Sequence, residues 1–195
     1  MKLAQAASYH SNTPFDAWNG TQWVLAAVSG SLQAYDRFIT DRSFGLKKRI
    51  LTIGGAAALP ANYEAVRGLD GTIFLITSET PDYEVGLVQM HSYQLLQADH
   101  TAVVYRTDDT KNSVGVPISQ AEVNVGTFFC DIERYRTESS REFDDSFSTI
   151  FNITLALSTG ALINNDTRIT VGSDRFEVRE KSEMLRSLNV VAVRQ

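Results

Sequence analysis

The chain has 195 residues, 43% of them hydrophobic and 21% charged, with a formal net charge of −5 at pH 7 and three histidines. This is the make-up of a folded chain, long enough for one domain or for two small ones, and not that of a disordered tail. The acidic balance argues against a protein that coats nucleic acid by neutralising phosphates, which takes a local excess of Lys and Arg.

The N-terminal stretch "MKLAQAASYHSNTPF" has one lysine but no apolar core of signal-peptide length, and no later run approaches a membrane span. The single cysteine, Cys130, leaves no intramolecular disulfide and no Cys-based zinc site, and its neighbours Phe128 and Phe129 predict a small buried hydrophobe. A reducing, soluble compartment is the expectation. The tripeptides at Asn19, Asn152 and Asn165 then match the glycosylation pattern by chance.

In chain order, residues 1–45 mix small, polar and aromatic residues, and Thr21 to Val28 reads as a strand or one short helix. Trp18 and Trp23 are large surfaces that predict core or subunit contact. From Lys47 the chain turns strand-like in "KKRILTIGG", whose Gly54-Gly55 pair lacks the glycine run and Lys-Ser/Thr of a phosphate loop. "AAALPANYEAVRG" predicts a helical turn or a loop around Pro60. Asp70-Gly71 signals a tight turn, Thr72 to Ile76 a strand, "SETPD" a polar loop with Pro81, and Thr101 to Tyr105 another strand.

Thr107 to Pro117 is the expected linker, since polar residues, a glycine and a proline crowd together there. "EVNVGTFFCDIERYR" is an extended run, the charged "TESSREFDDSFST" a projecting loop or a short helix capped by Thr137, and "IFNITLAL" a strand. In "NDTRITVGSDRFEVRE", Ile169 and Val171 alternate with Arg168 and Thr170, and Phe176 and Val178 flank Glu177. This predicts two short antiparallel strands joined at Gly172.

The expected fold is mainly β: antiparallel barrel or sandwich modules with long loops and at most short helices. Predicted modules are 1–106, a loop or linker at 107–122, and 123–195. The turn-strand-loop-strand order of "DGTIFLI…YEVG…MHSYQLLQADHTAVVYR" echoes "NDTRITVG…FEVRE…KSEMLRSLNVVAVR", which raises the prospect of an internal duplication with unequal loops.

No motif selects a catalytic site. Asp108-Asp109 and Asp144-Asp145 are adjacent pairs that face opposite ways on a strand and mark solvent in a loop. His91 and His100 lack an HExxH frame or a close His cluster, and Asp99-His100 lacks an activated serine such as GxSxG. The expectation is no enzyme, no metal and no cofactor. Arginines scattered among acids, including Arg134, Arg136 and Arg141, suit ion pairs between subunits better than a phosphate track.

"CDIERYR", "IFNITLAL", the hairpin "NNDTRITVGSDRFEVRE" and the closing "NVVAVR" resemble the head-closure (stopper or knob) and head-to-tail joining proteins of long-tailed bacteriophages, across about Val123 to Gln195. Those proteins look like small β-barrels in which a strand after an Asp leads into a "G-x-x-x-Y/F-x-V" hairpin. Here Asp166 matches the Asp, Gly172 the glycine, Phe176 the aromatic and Val178 the valine, with Arg168 opening the hairpin. The resemblance implies a virion neck protein, assembled in the host cytoplasm, that forms a ring of about six- or twelve-fold symmetry. Its implied partners are further copies of itself, a portal or adaptor protein and a tail protein, with DNA passing through without sequence-specific binding and no membrane.

The loop that narrows such a channel would be the segment bearing Asp108, Asp109 and Lys111, or the one bearing Arg136, Glu138, Arg141, Glu142, Asp144 and Asp145. Alternatives are a tail terminator of the same neck, a carbohydrate or host-surface binding module with Trp18 and Trp23 as stacking platforms, and a hydrolase built on Asp99 and His100.

Overall fold

The computed structural model describes residues 13–34, 47–54, 58–84, 87–111, 117–135, 150–164 and 166–195. The fold is mainly β, as the alternating runs predict. Two compact units emerge: Met1–Ala98 with Met184–Ser187, and Asp99–Glu183 with Leu188–Gln195.

The first unit contains β1 (Thr13–Trp18), β2 (Trp23–Ala34), β3 (Lys48–Gly54), β4 (Ala65–Arg67), β5 (Ile73–Glu84) and β6 (Leu87–Gln97). They close into a barrel in the order β1-β2-β3-β6-β5-β4. Period-two alternation decides which side chains enter it: Phe15 and Ala17, Val28, Leu51, Val66, Phe74 and Ile76, Tyr93 and Leu95 are all buried. Closure satisfies the backbone groups that an open sheet of this size leaves at its edges. Gly30 is dictated by close approach, because a Cβ there would meet the Thr52 carbonyl oxygen at 2.6 Å.

Residues 21–28 hold a strand from Trp23 onward, not a helix. The polar "SETPD" is not a loop but part of β5, with Pro81 opposite His91. The reason lies in the sheet: β4 pairs with β5 only at Ile73–Leu75, so at Pro81 the strand has β6 on one side and, among the described residues, no strand pairing on the other. Proline, lacking an N–H, is tolerated at such an edge.

The second unit contains β7 (His100–Lys111), β8 (Pro117–Tyr135), β9 (Ile150–Ala156), a 3-10 helix (Leu157–Leu162), β10 (Arg168–Val171), β11 (Asp174–Glu183) and β12 (Ser187–Arg194). They close in the order β10-β11-β12-β9-β8-β7. The interior is filled by Val104, Ile153, Leu155, Ile169, Phe176, Val178, Val190 and Ala192, all essentially inaccessible to solvent. Phe151 packs edge-on against Phe176, with ring centroids 5.1 Å apart.

The expected linker is corrected by this structure. Residues 107–111 and 117–122 continue β7 and β8, whose pairing runs out to Lys111 opposite Pro117, and the division between units falls at Ala98/Asp99. Ladder bonds join backbone to backbone and leave no signature in composition, so polar strands of a ribbon read as loop. β7 meets β10 only at Ala102–Tyr105 and β8 meets β9 only from Cys130 onward. Among the described residues, the two strands therefore pair only with each other between Arg106 and Lys111, a ribbon of about 20 Å at the usual rise of a strand.

Candidate functional site

The hairpin singled out in the sequence forms as expected. Val171 pairs with Asp174 across Gly172-Ser173, and Gly172 adopts φ +60°, the left-handed value that glycine supplies at the first position of a tight hairpin turn. Ile169 and Phe176 face each other across the ladder and are both fully buried, with Val178 beside them. These three residues fill the barrel. Their role is to hold the sheet.

Asp166 lies just before the hairpin, exposed, its N–H donating to Asn164 Oδ1 at 3.0 Å. Thr167 is fully buried and ties the same turn, its hydroxyl donating to Asn164 Oδ1 at 2.9 Å and accepting from the Asn164 N–H at 2.8 Å. Arg168 is on the outer surface, where Glu122 of β8 accepts bonds from both Arg168 and Arg175. The two guanidiniums, Arg168 first, hold the Glu122 carboxyl below the usual glutamate range. Beside them Arg194 lies 2.5 Å from Asp174. The outer wall of the second barrel is thus laced with ion pairs, which fix orientation more than they stabilise.

Asp108, Asp109 and Lys111 sit on the β7 strand of the ribbon, opposite Ala121, Gln120 and Pro117. The second set, Arg136, Glu138, Arg141, Glu142, Asp144 and Asp145, lies outside the described residues.

Two polar clusters in the first unit escaped sequence reasoning. On its surface, Asp16 accepts from Arg67 Nη2 at 2.7 Å and Nε at 3.2 Å, while its other oxygen accepts from the Ala26 N–H at 3.0 Å. Arg67 followed by the Ala26 amide pulls the Asp16 carboxyl below its ordinary value. Asp16 stands opposite an irregularity in β2, where Phe15 pairs with Val28 and Ala17 with Val24. The intervening Leu25 to Ala27 bulge outward, Ala26 takes φ +46°, and Leu25 is 73% exposed. The Arg67 guanidinium lies over Trp23, 4.5 Å from its centroid, and Trp23 tilts against Trp18 at 5.5 Å. One face of Trp23 is taken by Arg67.

The other cluster is largely buried. Glu79 Oε1 lies 2.9 Å from His91 Nδ1 and accepts from the Tyr93 hydroxyl at 3.2 Å, while Tyr93 accepts from the Leu59 N–H at 2.7 Å. Arg186, in the short segment of the first unit contributed from late in the chain, donates to Glu79 Oε2 at 2.9 Å and to the Leu59 carbonyl at 3.1 Å. Burial raises the Tyr93 hydroxyl above its ordinary value. His91 is 6% exposed and bonded to a carboxylate. No spacing rule joins positions 79, 91, 93 and 186, so only the fold could show this cluster.

His100 is the first residue of β7 and is exposed. A concavity of about 710 Å³ lined by Thr13, Phe15, Ser31, Leu32, Leu69 and Asp70 belongs to the first unit. It does not contain the Asp99-His100 pair. Cys130 is fully buried, and burial, reinforced by neighbouring Asp131, pushes its thiol up to about 12. Among the described residues no group of three or more His, Cys, Asp or Glu is placed to hold a metal, and no helix is long and apolar enough to cross a membrane.

No family model matches the sequence, and no curated protein matches it.

Proposed function

We propose that the chain is a structural ring subunit of a phage neck, a head-to-tail connector that joins portal to tail and forms part of the DNA passage. The observation that carries this reading is the β7–β8 ribbon, which leaves the barrel wall as a two-stranded arm past Tyr105. A closed barrel with filled interior supplies a building block, and a ribbon of about 20 Å whose outer edges have no strand partner among the described residues supplies a means of reaching a neighbour. Two strands alone are marginal in water, so an arm of this length gains stability when it lies against another surface. Ring closure needs two different faces on each subunit.

The test is assembly. Light scattering on the purified chain, with pull-down against portal and tail components of the same virus, is expected to give a discrete oligomer and a bound partner. Trimming the ribbon from Thr107 to Glu122 down to a tight turn is expected to leave a folded chain that no longer forms the ring. A chain that stays monomeric at assembly concentrations and binds neither neighbour overturns the reading. A tail terminator is distinguished by binding the tail component alone.

A further inference from the structure

Numbered from the start of each unit, the two barrels have one strand order. β1-β2-β3-β6-β5-β4 becomes β7-β8-β9-β12-β11-β10 when every label is raised by six, with both circuits closed through the first and fourth strands. Closure alone does not demand this order, since an up-and-down barrel closes through neighbours in sequence.

The agreement extends to individual residues. Ala17 pairs with Val66 and Val66 with Phe74; Val104 pairs with Ile169 and Ile169 with Phe176. All six are buried. Continuing round, Ile76 pairs with Leu95, as Val178 pairs with Ala192, and Leu32 pairs with Leu51, as Ile132 pairs with Ile153. The strongest correspondence is an irregularity. The β5–β6 register slips between Ile76 and Ser78, and the β11–β12 register slips between Val178 and Glu180. In each barrel the bulge follows the first inward residue after the core phenylalanine, two positions beyond it. Bulges are local design features that a generic barrel has no reason to place at the same step.

The equivalence also corrects the echo seen in the sequence, which set "DGTIFLI" against "NDTRITVG" and so matched β5 to β10. The structural counterpart of β10–β11 is β4–β5. Gly68 bonds to Thr72 across Leu69-Asp70-Gly71, with Gly71 at φ +83°, where the second barrel turns on Gly172-Ser173. A one-residue difference in the loop hid the match.

We infer that the chain is two fused copies of one barrel subunit, with β4–β5 and β10–β11 as the same hairpin. Where the ring of the proposed function forms, a consequence resting on that reading, each chain fills two barrel positions and the natural partner of a barrel is another copy of it. The copies have diverged on the side of the sheet turned away from the barrel interior. There Trp18, Ala65, Leu75 and Leu96, the last three buried, correspond to Tyr105, Arg168, Glu177 and Val193, an apolar row in one and a mixed, charged row in the other.

The experiment exchanges hairpins within the full chain. Ala65–Thr77 replaces Arg168–Arg179, setting Val66, Phe74 and Ile76 at the places of Ile169, Phe176 and Val178; the reciprocal graft is made in the first barrel. A control carries the first graft shifted by one residue, which turns the three apolar side chains to the outside. At least one in-register graft is expected to unfold cooperatively with its midpoint lowered by about 10 °C, and the shifted graft to lose its cooperative transition. Failure of both in-register grafts, or a shifted graft as stable as they are, overturns the duplication. Light scattering on the unaltered chain judges the ring separately: a monomer with a tolerated graft removes the ring and leaves the duplication standing.

Discussion

Arg186 Nη2 lies 2.9 Å from Glu79 Oε2, and the two side chains are only 14% and 22% exposed. The same nitrogen donates to the Leu59 carbonyl, and the guanidinium covers the Tyr93 ring at 5.4 Å. Removing one partner leaves the other charge partly buried and uncompensated. Arg186→Ala is therefore expected to lower stability by about 2–4 kcal/mol in urea unfolding. Arg186→Lys should recover only part of this, because an ammonium lacks the planar guanidinium that lies over the Tyr93 ring.

Phe176 fills the second barrel against Phe151 and sits opposite Ile169. Phe176→Ala is expected to cost about 3–5 kcal/mol through lost burial and the cavity left behind. Gly172→Val should cost about 1–2 kcal/mol for a different reason, since a β-branched side chain is forced to the left-handed φ of +60° found there. Both are read from denaturant midpoints, and the glycine variant should keep an unchanged slope.

Asp16 makes stability depend on pH at the acid end. Its folded carboxyl is held down by Arg67 and then by the Ala26 amide, so the unfolded chain takes up a proton first. The contribution is fully present above the unfolded carboxyl value of about 3.9 and is lost as pH falls through the lower folded value. Melting midpoints between pH 2 and 7 should fall less steeply at the acid end for Asp16→Asn than for the unaltered chain. The variant should also loosen the bulge at Ala26, seen as faster amide exchange there.

Cys130 acts in the opposite direction. With its folded thiol pushed up to about 12, the unfolded chain ionises first as pH rises, so this contribution is complete below about 8.5 and declines above it. A thiol reagent at pH 8 is expected to leave the native chain unmodified and to react once urea unfolds it. Cys130→Ala should flatten the alkaline decline. Rapid labelling of the native protein would contradict the burial of Cys130.

Alternation along the chain determined a great deal by itself. Ile169, Val171, Phe176 and Val178 could be assigned inward from spacing alone, because a strand whose one face is buried must repeat with period two, and Gly172 and Asp70-Gly71 marked their turns because few residues accept those angles. Tertiary structure alone decided what depends on partners distant in sequence. Polar stretches such as "SETPD" and Thr107–Lys111 became strands because a neighbour supplied their hydrogen bonds, which side-chain chemistry does not announce. The same holds for Glu79, His91, Tyr93 and Arg186, and for Asp16 with Arg67 and Trp23: each cluster is assembled by strand register, and register is a property of the closed barrel.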